Sequence, residues 1–86
     1  MKDSYKLLYD CILKLETLEE ADDFFSDLCT PKEIEQMSQR IKAAELLMDN
    51  KTYLQVIEET DISSATLSRV SKCVKQGKGY NNILNK

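Results

Sequence analysis

The run Thr30-Pro31-Lys32-Glu33 restricts what this chain can fold into more than any other four residues in it. A threonine oxygen can accept from the free amides of a first helical turn. Proline suits the first helical position, where its missing N–H costs nothing, and glutamate at the third position can answer the cap. Behind this start Ile34, Met37, Ile41, Ala44, Leu47 and Met48 recur at helical spacing, which predicts a long helix to about Met48, broken by Asp49-Asn50. The same punctuation recurs along the chain. Asp3 or Ser4 can cap a first helix to about Leu15, with Tyr5, Leu8, Tyr9, Ile12 and Leu15 on one stripe. Thr17 with Glu20 predicts a capping box for a helix that turns Ala21, Phe24, Phe25 and Leu28 inward. Thr52 with Gln55 predicts another, for a short helix to about Glu59. Ser63 caps the next helix, which runs to about Gln76 and is ended by Gly77 and Gly79. Tyr80, Ile83 and Leu84 have the spacing of one more short helix, against which Asn81, Asn82 and Asn85 speak as weak helix formers. No segment alternates with period two, so the class is all-α with about six helices.

With 86 residues there is room for one domain, whose core is barely large enough to hold a fold alone, and a dimer is the natural remedy. The predicted divisions are an N-terminal helical region over 1–29, a central helix over 30–50, two short helices over 52–76, and a tail or short helix over 77–86. Cys11, Cys29 and Cys73 lie far apart, and with no histidine in the chain they form no metal-ligand set, so they read as reduced core thiols. There is no leader-like start and no apolar run near membrane-spanning length, which predicts a cytoplasmic protein. No glycine-rich phosphate loop and no carboxylate pair with an evident pocket accompanies the missing histidine. The expectation is a non-enzyme without cofactor or metal.

Charge divides the chain sharply. Residues 1–61 hold all fifteen acids against seven bases, a net −8, whereas residues 62–86 hold Arg69, Lys72, Lys75, Lys78 and Lys86 with no acid, a net +5. The C-terminal part is built to approach an anion. Two short helices joined by a turn, with bases following, are what a helix-turn-helix requires. Val56, Thr60, Ile62, Leu67 and Val70 fall where the two helices must pack, Ile62 plugging the turn, and Asp61 is predicted to take the left-handed conformation there. Leu67, Val70 and Val74 define the inner side of the second helix. Its outer side carries Ala65, Ser68, Arg69, Lys72 and Gln76, flanked by Ser64 and Lys75. Small residues near its start allow close approach to a major groove, Ser68 and Arg69 can reach base edges, and the lysines can meet phosphates. The predicted partner is double-stranded DNA. The competing reading is an acidic helical module that binds another protein through a degenerate helix-turn-helix.

Thr30-Pro31-x-Glu33, Arg40-Ile41, Glu45-Leu46-Leu47 and Ala65-Thr66-Leu67-Ser68-Arg69 followed by Ser71 resemble the Trp repressor superfamily, and its small YerC/YecD-type branch most of all. The resemblance covers about residues 28–75. It implies an intertwined homodimer in which the helices of residues 1–29 build a shared core, with Tyr5, Tyr9, Phe24 and Phe25 supplying much of it, and two reading heads project. It implies a transcription regulator, a repressor. Arg40 and Arg69 match the two arginines that sandwich the corepressor's indole, and Thr30 and Thr66 match threonines that line its pocket. Cys73 instead stands where tryptophan repressors have a serine, and Val70 where they have a glycine. That valine occupies space an indole needs, so tryptophan is not the expected effector.

Overall fold

The computed structural model describes residues 1–86, and no strand interrupts its six helices. These are α1 (Asp3–Leu13), α2 (Leu18–Leu28), α3 (Pro31–Met48), α4 (Tyr53–Glu59), α5 (Ser64–Gln76) and α6 (Gly79–Leu84). None is long and apolar enough to cross a membrane. The chain falls into two compact units, Met1–Pro31 and Lys32–Lys86.

In the first unit the caps depart from the sequence expectation in detail. Neither Asp3 nor Ser4 caps α1. Lys2 holds the cap position without a side-chain bond, and Asp3 sits inside the first turn, where its charge meets the positive end of the helix dipole. The helix also stops at Leu13, short of Leu15. The amides of Lys14 and Leu15 bond back three residues to the carbonyls of Cys11 and Ile12, tightening the last turn. At α2 the Thr17 hydroxyl accepts from the Glu20 amide at 3.0 Å, as predicted. The Glu20 carboxylate, however, accepts from the amide of Glu16 at 2.9 Å, one residue beyond the predicted partner. Phe24 and Phe25 meet edge to face with ring centroids 5.7 Å apart. Neither helix contains a fully buried residue, and Tyr5, Tyr9 and Leu28 stay about half exposed, at 50%, 46% and 49%.

The second unit has a true core. Ala43 and Ala44 of α3, Val56 of α4, and Leu67 and Val70 of α5 are buried together, with Leu46, Leu47, Ile62, Val74, Tyr80 and Leu84 packed against them. The helical spacing foresaw Ala44 but not Ala43, and it placed Ile41 inside although this side chain is 49% exposed. Two adjacent alanines without bulk give α3 a surface that other helices can approach closely, so the buried face is turned away from Ile41, past Ala44 toward Ala43.

The end of α3 is set by Asn50 in the left-handed region at φ 62°. The amides of Asn50 and Lys51 bond to the carbonyls of Leu47 and Leu46 at 3.1 Å each, a six-to-one and five-to-two pair that satisfies the last carbonyls. The predicted box at α4 is complete. The Gln55 amide donates to the Thr52 hydroxyl at 3.2 Å, and the Thr52 amide donates to the Gln55 side chain at 2.8 Å.

Gly77 ends α5 without a left-handed turn. A side chain there would place Cβ 2.7 Å from the Cys73 carbonyl oxygen, so close approach is what demands glycine. Gly79, expected to help end α5, opens α6 instead. Asn81, a weak helix former by propensity, offsets that weakness by donating from Nδ2 to the carbonyls of Val74 at 2.7 Å and Gly77 at 3.3 Å, which caps the end of α5.

Candidate nucleic-acid interface

Helix α5 is two-sided because its apolar residues recur at three- and four-residue steps. Leu67 and Val70 are 0% and 2% exposed and anchor the helix in the core, with Val74 half-buried on the same side. Ser71 is buried beside them, a polar residue the apolar spacing gave no reason to place inside. Ser64, Ala65, Ser68, Arg69, Lys72, Lys75 and Gln76 are all exposed. Every residue predicted for the DNA-facing side therefore lies outside the core, on one 13-residue helix.

The start of this helix is ordered by its own cap. The Ser63 hydroxyl accepts from the Thr66 amide at 3.2 Å and donates to the Thr66 hydroxyl at 3.0 Å. The amides of Ser64 and Ala65, at the first two helical positions, have no acceptor inside the helix and point outward from its positive end.

The turn before α5 corrects one expectation. Asp61 is not left-handed, since Asn50 is the single non-glycine residue with positive φ. The chain leaves α4 through Thr60, whose extended backbone at φ −130° and ψ 169° needs no glycine in the turn. The buried Thr60 hydroxyl donates to the Val56 carbonyl at 2.7 Å, and the Asp61 amide donates to the side chain of Gln39 on α3 at 3.2 Å. Ile62 packs against the core as predicted.

Three of the four residues matched to an effector pocket converge. Arg40, Thr66 and Arg69 line one cavity of about 300 Å³ together with Val70, Cys73 and Tyr80. Thr30 belongs to the other compact unit and is not among the lining residues. Tyr80 was not foreseen as a pocket residue. Its half-buried ring is carried there by α6, the helix whose sequence signal was weakest. Arg40 also borders a second, polar cavity of about 370 Å³ between α3 and the turn, which Glu35, Gln39, Asp61 and Ser63 share. The thiols differ from the core thiols predicted: Cys73 is exposed and Cys11 and Cys29 are only half-buried, all three free.

The Trp repressor protein family model matches residues 3–86. An uncharacterised protein, YerC, of Bacillus subtilis (strain 168) is 44% identical over 70 residues, spanning 81% of this chain and 67% of that one. Among solved structures, a TrpR-like protein from Eubacterium eligens superposes with a TM-score of 0.91 at 40% identity, covering 98% of this chain and 88% of its own. A candidate Trp repressor from Staphylococcus aureus superposes with a TM-score of 0.93 at 38% identity, over 99% and 86% of the two chains.

Proposed function

This chain belongs to the Trp repressor family, and on that premise we propose that it is a sequence-specific DNA-binding transcription regulator, a repressor, acting in the cytoplasm as a homodimer. The observation that carries the reading is the outer side of α5. Seven exposed residues, three of them basic, share it with no acid anywhere from residue 62 onward, and the opposite side is fixed in the core by Leu67 and Val70. A rigid helix with small residues at its N-terminal end and bases further along is suited to a major groove. Ser64, Ala65, Ser68 and Arg69 would face base edges there, and Lys72 and Lys75 would face phosphates. The open amides of Ser64 and Ala65 add donors for one more phosphate.

The homodimer draws its support from the first unit. α1 and α2 keep Tyr5, Tyr9, Leu13 and Leu28 in solvent, more apolar surface than two short helices of a stable monomer would show. A second copy of the chain is the partner the family premise supplies.

The cavity between Arg40 and Arg69 supports no tryptophan effector. Val70 stands at that cavity and is also a core residue. Moving its methyl groups aside for an indole would leave a void costing on the order of 1 kcal/mol or more. Cys73 offers an ammonium group a weaker hydrogen-bond partner than a serine would. DNA binding in the reading proposed here needs no corepressor.

Recovery of genomic fragments bound by the purified protein tests the function. The expected result is a short, two-fold symmetric motif whose half-sites are about one helical turn apart, or a multiple of it. Recovery of fragments sharing no motif overturns sequence-specific regulation.

A further inference from the structure

We propose that Gln39 is a positioning residue for the reading helix. From α3 it holds the turn between α4 and α5 by accepting the Asp61 backbone N–H, and Glu35 sets the orientation in which it can do so. The proposal rests on the DNA-binding reading of α5 and adds a residue that itself faces no DNA.

The ends of the turn are fixed, Thr60 by its bonds to the Val56 carbonyl and Ser63 by its cap on α5, which leaves Asp61 and Ile62 between them. No residue in it is left-handed and none is glycine, and the backbone leaves α4 at Thr60 and enters α5 at Ser63 in extended conformations. Ile62 packs apolar surface against the core, which holds the turn near the core but does not define its direction. The directional contact is the bond of 3.2 Å from the Asp61 amide to Gln39 Oε1, which spans 22 residues of sequence. Because Asp61 lies three residues before the first residue of α5, restraint at this amide is restraint on where the reading helix starts.

A glutamine side chain can present either its oxygen or its NH₂ group, and only the oxygen can receive an amide proton. Glu35, one turn earlier on α3, decides between them. Its carboxylate accepts from Gln39 Nε2 at 3.1 Å, and an ionised carboxylate can only accept. The NH₂ end of Gln39 is therefore drawn to Glu35 and the oxygen is left for Asp61. The two bonds run in one direction, Asp61 N–H to Gln39 oxygen and Gln39 N–H to Glu35 oxygen, so each polarises the other favourably. The pattern i, i+4 on α3 makes this relay possible, and both residues border the polar cavity beside the turn.

The test measures hydrogen exchange at the Asp61 amide and duplex binding in the same full-length variants. Gln39→Met keeps length and helix propensity but removes the acceptor. It is expected to speed exchange at Asp61 and lower the ratio of specific to random duplex affinity, each about 2- to 10-fold, the range of one net hydrogen bond. Gln39→Glu places two carboxylates one turn apart and is expected to weaken the ratio too. The exchanged pair Glu35→Gln with Gln39→Glu restores a donor opposite an acceptor, and both readouts should return to within about twofold of the parent, a rescue that loss of packing alone would not show. Unchanged Asp61 exchange in Gln39→Met overturns the clamp. Faster exchange with an unchanged duplex ratio overturns its role in positioning α5. Failure of the parent protein to bind any duplex overturns the proposed function instead, and the exchange data still judge the clamp.

Discussion

The two compact units of this chain differ in how deeply they bury apolar side chains. Residues 32–86 bury Val56, Leu67, Val70 and two alanines completely or nearly so, whereas α1 and α2 carry tyrosines, phenylalanines and leucines at the same helical spacings and bury none of them fully. Periodicity alone does not distinguish a stripe that is satisfied within its own chain from one that awaits a second chain. The difference teaches that residues 32–86 specify a core from their own helices, whereas α1 and α2 bury no residue fully. Charge follows that division only in part: residues 1–31 hold eight acids against three bases, residues 32–86 seven acids against nine bases, and the stretch without acids starts only at residue 62.

The largest expected effect sharpens the contrast from the side of the core. Leu67→Ala should lower unfolding free energy by about 2–5 kcal/mol in denaturant titration, because it empties a completely buried site that joins α5 to α3 and α4. A loss below about 1 kcal/mol would mean that the second unit is not the better packed of the two.

Base substitutions probe the charge side of the contrast. Arg69→Ala should reduce discrimination between specific and random duplex by about 1–3 kcal/mol, whereas Lys72→Ala or Lys75→Ala should weaken binding to both by similar factors. In the first unit, Lys6 is paired with Asp10 at 2.7 Å on an exposed surface, and Lys6→Ala should leave affinity for either duplex unchanged. An unchanged ratio in Arg69→Ala would remove that residue from the groove.

A smaller effect addresses the exposed stripe. Sedimentation should give a mass twice the 9.9 kDa of one chain. The unfolding midpoint should rise with protein concentration, by the equivalent of about 1.4 kcal/mol per tenfold increase. Tyr9→Asp should shift the species toward one chain. A well-folded single-chain species at micromolar concentration, with a midpoint independent of concentration, would leave the contrast between the units without its proposed cause.

The smallest effect belongs to the caps. Thr52→Ala removes half of a complete box and should cost about 1 kcal/mol in thermal or denaturant unfolding.

Much of residues 52–76 was legible because helix starts and apolar spacing are local signals. Thr52-Gln55 and Ser63 marked their helices to the residue, and Leu67 with Val70 fixed which side of α5 would face out. The turn was legible in place but not in conformation. The expectation of a left-handed Asp61 followed the usual chemistry of such turns, and nothing local announces that an amide will be received by Gln39, 22 positions earlier. Ala43, Ser71 and Tyr80 were missed for a related reason. Alanine and serine carry too little hydrophobicity to mark a buried face, and Tyr80 reaches its cavity on a helix stabilised by a tertiary bond from Asn81 rather than by propensity. In the first unit the stripe was legible but its fate was not, because burial there is proposed to require a second copy.

Random-sequence duplex titrated with the intact protein between about 50 and 200 mM salt tests the central claim that the outer side of α5 meets DNA. With Arg69, Lys72 and Lys75 from each of two chains on phosphates or grooves, the slope of log affinity against log salt should be about −5, and Lys72→Ala should make it shallower by roughly one per chain. A slope near zero would contradict the account and favour a partner protein held mainly by apolar contacts.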